Sequence, residues 1–243
     1  MLRQLWEVAK TVIIASYRKN IIFASWLVML PLLLAAWLFE KANPGFQSGF
    51  ILDSGSGLMA IASIILLGVL GFEHLFWPGE QPTPWFYFSR LNSRIIFPAG
   101  KFVGISIVLL SILIDFAIML FLLVGLTSDT WMILPFKMAV MVWAEYSLLF
   151  SVFVLLTTFL SRLMSVGMMI PVFFTAYSTS YLKTFLPNAV AEVVLAFIPN
   201  AGVFDAVIES ADLFAFFAAI LYSIIMSIFY IVLAGYRLRS IDL

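Results

Sequence analysis

The sequence contains no cysteine and a single histidine, His74. The absence of cysteine excludes disulfide bonds, thiolate metal sites and cysteine nucleophiles. A single histidine argues against zinc sites and against catalytic triads built on histidine. We therefore expect no catalytic residue, no metal site and no cofactor in this chain, and we expect that it is not an enzyme.

Charged residues are also scarce. Asp, Glu, Lys and Arg make up 11% of the chain, whereas hydrophobic residues make up 64%. Soluble domains carry roughly 25% charged residues, so this chain has too little polar surface to face water on all sides. Its formal net charge is zero, which gives no electrostatic reason to expect nucleic acid as a partner. The composition predicts an all-α polytopic membrane protein.

Six apolar runs are long enough to cross a bilayer, which takes about 20 residues each. They are residues 21–39, 54–72, 102–126, 133–160, 163–181 and 213–235. The fourth is longer than a bilayer requires and should tilt. Residues 1–19 have apolar side chains at helical spacing opposite a polar face, which is typical of a helix in the membrane interface or of an ordinary amphipathic cytoplasmic helix. We interpret residues 1–243 as one membrane domain.

The distribution of lysine and arginine predicts the orientation. With both termini in the cytoplasm, only Lys41, Lys137 and Lys183 fall on the outer side, and the other basic residues lie inside. This is the positive-inside pattern. We expect a multi-pass protein of a bacterial or archaeal cytoplasmic (inner) membrane, with residues 73–101 as a long cytoplasmic loop. In the outer connection 182–212, an apolar run too short to cross should re-enter the membrane.

The cytoplasmic loop contains an ordered set of motifs. It reads Glu80-Gln81-Pro82-Thr83, then Pro84-Trp85-Phe86-Tyr87-Phe88, then Ser89-Arg90-Leu91-Asn92-Ser93-Arg94, and Gly100-Lys101 opens the third span. This resembles the type-2 permease family of ATP-binding-cassette (ABC) transporters, which often has E-x-G-T, three apolar residues, S-R-P-x-S-R and Gly-Lys. Pro82 replaces the family's glycine and Leu91 its usual proline, so the local backbone should differ. The ending Arg237-Leu238-Arg239-Ser240-Ile241-Asp242-Leu243 is similar to the family's basic cluster followed by Asp-Leu.

The resemblance implies the membrane subunit of an ATP-driven exporter. A separate ABC ATPase, in two copies, would hold ATP and magnesium, and a second permease copy, identical or related, would complete the complex. The loop would be its docking element, with aromatic anchors and charges that fix the register. The residues proposed for coupling are Glu80, Thr83, Trp85, Phe86, Ser89, Arg90, Ser93 and Arg94. Alternatively, the aromatic residues lie at lipid headgroups and the arginines only follow the positive-inside rule.

Two carboxylates fall inside predicted spans. Asp115 lies near the middle of the third and Glu145 near the middle of the fourth, at similar depth. A carboxylate at the bilayer centre costs about 2.5–3.5 kcal/mol on insertion scales, so it usually faces protein or water. The two side chains would share a substrate or proton site if their faces meet, or would each be structural.

Two further features predict contacts within the membrane. Tyr177 and Ser178 belong to a polar, aromatic end of the fifth span, which would line an exit or bind a headgroup, or form part of the ordinary aromatic belt. Gly100 and Gly104 form a G-x-x-x-G pair, which permits close helix approach and is one basis for a dimer contact.

Two other functions fit the same sequence. A stand-alone secondary transporter would use Asp115 and Glu145 as an ion relay. A non-transporting membrane scaffold would use the aromatic loop to bind its partner.

Overall fold

The computed structural model describes residues 1–42, 49–75, 93–128, 131–179, 181, 197–210 and 212–239. Within these residues the chain is all-helical, with eight helices and no strand. The helices are α1 (Leu2–Arg18), α2 (Ile21–Ala42), α3 (Gly49–His74), α4 (Ile96–Ser128), α5 (Leu134–Leu156), α6 (Arg162–Tyr177), α7 (Gly202–Glu209) and α8 (Leu213–Arg239).

Five helices are long and apolar enough to cross a membrane. These spans are Phe23–Ala42, Phe50–His74, Ile96–Leu126, Leu134–Leu156 and Leu213–Leu238. They correspond to five of the six predicted runs and confirm the prediction of an all-α protein with several apolar spans. The remaining run forms α6, whose 16 residues reach about 24 Å at about 1.5 Å per residue, short of the ~30 Å hydrocarbon core.

Two helix boundaries differ from the prediction. The third apolar helix, α4, begins at Ile96 and has 33 residues, so it starts inside the predicted 73–101 loop. Pro98 lies in its first turn, where the missing N–H costs no hydrogen bond, and therefore does not stop the helix. The fourth run ends early, because α5 stops at Leu156. There the hydroxyls of Thr157 and Thr158 donate to carbonyls three residues back, which favours a tighter turn over continued helix.

Helix α5 lies at the centre of the bundle. It packs against α3, α4, α6, α7 and α8, and 78% of its span is buried within the protein. A helix that is apolar on every side is stable in a core or against lipid, and the burial of α5 shows that it lies in the core. Its polar side chains Glu145, Ser147 and Ser151 are therefore enclosed by the protein.

Helix α1 packs along the start of α4, and two glycines make this possible. A Cβ atom on Gly100 would lie 2.6 Å from Cβ of Val8, and one on Gly104 would lie 2.7 Å from the carbonyl oxygen of Ala9. Val8, Ala9 and Val12 are buried on the facing side of α1. The G-x-x-x-G pair therefore receives a helix of the same chain, and this face of α4 is not open to a second copy.

Candidate functional site: a buried carboxylate and the anchored ends of the 73–101 loop

Glu145 lies on α5 and is only 3% exposed. A buried carboxylate requires a hydrogen-bond partner, and the hydroxyl of Tyr177 donates to its Oε1 atom. Tyr146 interacts with both groups, and Asp205 of α7 also interacts electrostatically with Glu145. The centre thus combines residues from α5, α6 and α7. A carboxyl group that accepts a hydrogen bond from a tyrosine hydroxyl can hold and exchange a proton.

The position of Tyr177 is fixed by the end of α6. The Thr175 hydroxyl donates to the carbonyl oxygen of Pro171 at 2.9 Å, and the Ser178 N–H donates to the carbonyl of Phe174 at 3.0 Å. The Ala201 N–H then donates to the Ala176 carbonyl at 3.1 Å. These bonds join the end of α6 to the start of α7. Ser178, predicted as a pathway residue, contributes through its backbone.

Within the described residues, the side chains of Asp115 and Glu145 do not contact each other and do not form a shared site. Glu145 interacts with Tyr177, Tyr146 and Asp205, and no interaction with Asp115 is seen within the described residues. Asp115 is half-exposed on α4 and makes no hydrogen bond or ion pair within the part of the chain that the structure describes. Similar depth along two helices does not by itself bring two side chains together, because depth does not determine which side of its helix each one occupies.

A second polar contact, not expected from the sequence, joins α4 to α5. The hydroxyls of Ser106 and Ser147 lie 2.9 Å apart, and Nε1 of Trp143 donates to the Ser106 carbonyl at 3.0 Å. Every polar atom of this cluster has a partner, so it stabilises the pairing of the two helices. In the sequence, the only indication of this contact is that Trp143 precedes Ser147 by about one helical turn on an otherwise apolar helix.

The far end of the predicted 73–101 loop is attached to the last helix. Nη1 of Arg94 donates to the carbonyl oxygen of Leu238 at 2.9 Å. Ile95 packs where Gly235 has no side chain, since a Cβ there would lie 2.7 Å from Cβ of Ile95. Of the residues proposed for coupling, Ser93 and Arg94 are described. The others, Glu80, Thr83, Trp85, Phe86, Ser89 and Arg90, lie outside the described residues.

The near end of the loop is attached as well. Oε1 of Glu73, at the end of α3, lies 2.8 Å from Nζ of Lys19 in the turn between α1 and α2. Nε2 of His74 lies 3.9 Å from the other Glu73 oxygen, and the His74 side chain is largely buried. Between them, the two ends of the loop thus contact α8 and the turn between α1 and α2.

Comparison of the sequence with protein-family models and with curated proteins finds no match. Among the described residues, no group of three or more His, Asp or Glu side chains is placed to hold a metal ion. The site is therefore interpreted from its own residues.

Proposed function

We propose that this chain is the membrane-spanning permease subunit of an ATP-driven ABC exporter. A separate ATPase, with ATP and magnesium, would supply the energy, and a second permease copy would complete the pathway. In this proposal α6 and the residues after it make a sixth crossing of a bacterial or archaeal inner membrane, and both termini lie inside. The motifs of residues 80–101 suggest the family. The observation that carries the proposal is the anchoring of both loop ends.

The anchoring matters because a transporter must convert a push on the loop into movement of its helices. Arg94 and Ile95 join the loop end to α8 and continue directly into α4. Glu73 joins its beginning to the α1–α2 turn through Lys19. Since packed helices move as rigid bodies, a displacement of the loop would reach α4 and α8 together, and both pack on the central α5.

Co-purification from the native host in mild detergent tests the proposal. We expect a nucleotide-binding ATPase to accompany the wild type and to fall at least about tenfold in Arg90→Glu, because a charge reversal at a docking register costs several kcal/mol. Lys10→Glu is the matched control, an exposed cation on the same predicted side but outside the loop. Arg94→Glu is a poor substitute, since it also breaks the Leu238 contact.

Failure to recover an ATPase with the wild type, even after chemical cross-linking in membranes, would overturn the proposal. Equal recovery with Arg90→Glu and Lys10→Glu would remove the loop from the docking surface. Binding of a partner that is indifferent to ATP would instead favour the scaffold.

The buried Glu145 favours a secondary transporter as the second candidate. Ionisable groups in the core of a membrane protein often lie on ion pathways, and Tyr177 gives Glu145 a proton donor and acceptor. This function predicts transport that needs no ATPase, collapses when a protonophore removes the proton gradient, and is lost in Glu145→Gln. Transport that persists with the protonophore would exclude it.

A further inference from the structure

A cavity of about 500 Å³ lies between α7, the first turns of α8 and the residues that join α6 to α7. Pockets that bind small molecules typically measure about 300–1,000 Å³. Val203 and Val207 of α7 form one part of its wall. Thr179 and Asn200, which lie between α6 and α7, form another part. The Glu145 centre does not contribute to this wall.

The space arises from small residues on one face of α8. Ala215, Ala218, Ala219 and Tyr222 line the cavity, and their spacing of three, four and seven residues places them on one side of a helix. On the other sides, Phe214 is 81% exposed and Phe217 65% exposed. Two of the bulky side chains of this segment thus face outward while alanines line the inner side, which leaves space that larger side chains would fill. Ala218 is itself exposed and marks the side on which the cavity opens.

Two hydrogen-bond donors remain in the wall of the cavity. The Tyr222 oxygen accepts the Asn200 backbone N–H at 3.0 Å, so the proton of its hydroxyl is left for another acceptor. The Thr179 hydroxyl donates to Oδ1 of Asn200 at 2.9 Å, which fixes the amide orientation and leaves the side-chain NH₂ group. Within the described residues neither donor has an acceptor, and none of the lining side chains is charged.

We propose that this cavity binds an uncharged lipid-like molecule through an ester carbonyl. The carbonyl oxygen accepts hydrogen bonds from Tyr222 and from the Asn200 amide, and the hydrocarbon part lies against the alanine and valine walls. An anionic phosphate is disfavoured, because burying it without a cation leaves its charge unpaired. The inference holds for any of the functions considered above, since it uses only the cavity, its donors and its lack of charge.

Photo-crosslinking tests this site. Purified protein is labelled with diacylglycerol that carries a diazirine in one acyl chain, and the adducts are located by mass spectrometry. We expect adducts on α7 and the first turns of α8. Unlabelled diacylglycerol should compete at least about tenfold better than its dialkyl ether analogue, which has no carbonyl and so loses the hydrogen bonds. Phosphatidic acid should compete no better than the ether.

Ala218→Phe should reduce labelling at least about tenfold by filling the opening, whereas Leu221→Phe adds bulk to an outward face of α8 and should leave labelling unchanged. Tyr222→Phe, which keeps the ring but removes one of the two donors, should reduce the advantage of the ester over the ether. Labelling that survives Ala218→Phe would overturn the assignment of the cavity. Equal competition by ester and ether would overturn the role of the carbonyl, and preferential competition by phosphatidic acid would overturn the exclusion of charge.

Discussion

Replacing Gly104 with alanine measures how tightly α1 is held. The added Cβ would lie 2.7 Å from the Ala9 carbonyl oxygen, 2.9 Å from Cβ of Val12 and 3.1 Å from Cα of Ala9, where ordinary contact begins at 3.4 Å. Two of these three atoms belong to the backbone and cannot rotate away. The whole of α1 must therefore move outward by several tenths of an ångström. Such overpacking costs about 1–3 kcal/mol.

Gly57→Ala is the matched control, because nothing lies within 4 Å of a Cβ atom at that position. Both variants gain roughly 0.5–1 kcal/mol from replacing a helical glycine, but only Gly104→Ala meets α1. The free energy of unfolding of Gly104→Ala should therefore be about 1–3 kcal/mol lower than that of Gly57→Ala. At roughly 2–4 °C per kcal/mol for a chain of this size, the melting temperatures should differ by several degrees.

The assay is thermal unfolding of the purified proteins in one detergent, followed by tryptophan fluorescence. Limited trypsin digestion adds a local measurement, since Arg3 and Lys10 lie on the exposed face of α1 and should be cut faster when α1 is displaced. Equal melting temperatures and equal cutting in the two variants would refute the close packing of α1 on α4.

Two further predictions concern the polar contacts in the core. Tyr177→Phe removes the hydrogen-bond donor to Glu145 and should lower the free energy of unfolding by about 1–3 kcal/mol. The control Tyr17→Phe, at a residue that is 73% exposed, should change it by less than about 0.5 kcal/mol. Equal melting temperatures of the two variants would contradict the contact between Tyr177 and Glu145. Ser106→Cys/Ser147→Cys should form a disulfide on mild oxidation, because the two hydroxyls lie 2.9 Å apart, and a gel shift reversed by reductant detects it. The control pair Ser106→Cys/Ser151→Cys should not form a disulfide, since the Ser151 hydroxyl contacts the Leu148 carbonyl in its own helix rather than Ser106. The chain has no native cysteine, so any disulfide reports the introduced pair.

The sequence was sufficient to predict the long apolar helices, because a continuous run of about 20 apolar residues has no other stable solvent than lipid or a core. It was less informative at helix ends. The predicted third span begins at residue 102, whereas α4 begins at Ile96, because a proline in the first turn, here Pro98, is compatible with a helix. The predicted re-entrant run 189–198 lies mostly outside the described residues.

Contacts between helices were predicted only in part. Gly100 and Gly104 correctly indicated a close approach, but small residues do not reveal which helix will occupy the groove. Likewise, the positions of Asp115 and Glu145 along their spans predict the depth of the two side chains but not the directions in which they point. Helix α5 is apolar on nearly every side, so its sequence pattern does not indicate which neighbouring helix the Glu145 side chain faces. The pairing of Glu145 with Tyr177 required the tertiary structure.

The docking of α1 has a consequence for the order of synthesis. Val8 contacts Gly100, so about 90 residues separate the first helix from the surface that receives it. At about 5–20 residues per second, the ribosome takes on the order of ten seconds to make the intervening chain. During this interval α4, the helix against which the apolar face of α1 packs, has not yet been made. Helix α1 is thus synthesised before α2 and α3 but reaches its final position on α4 only after both have been made. A factor that shields nascent apolar segments can act on α1 during this time.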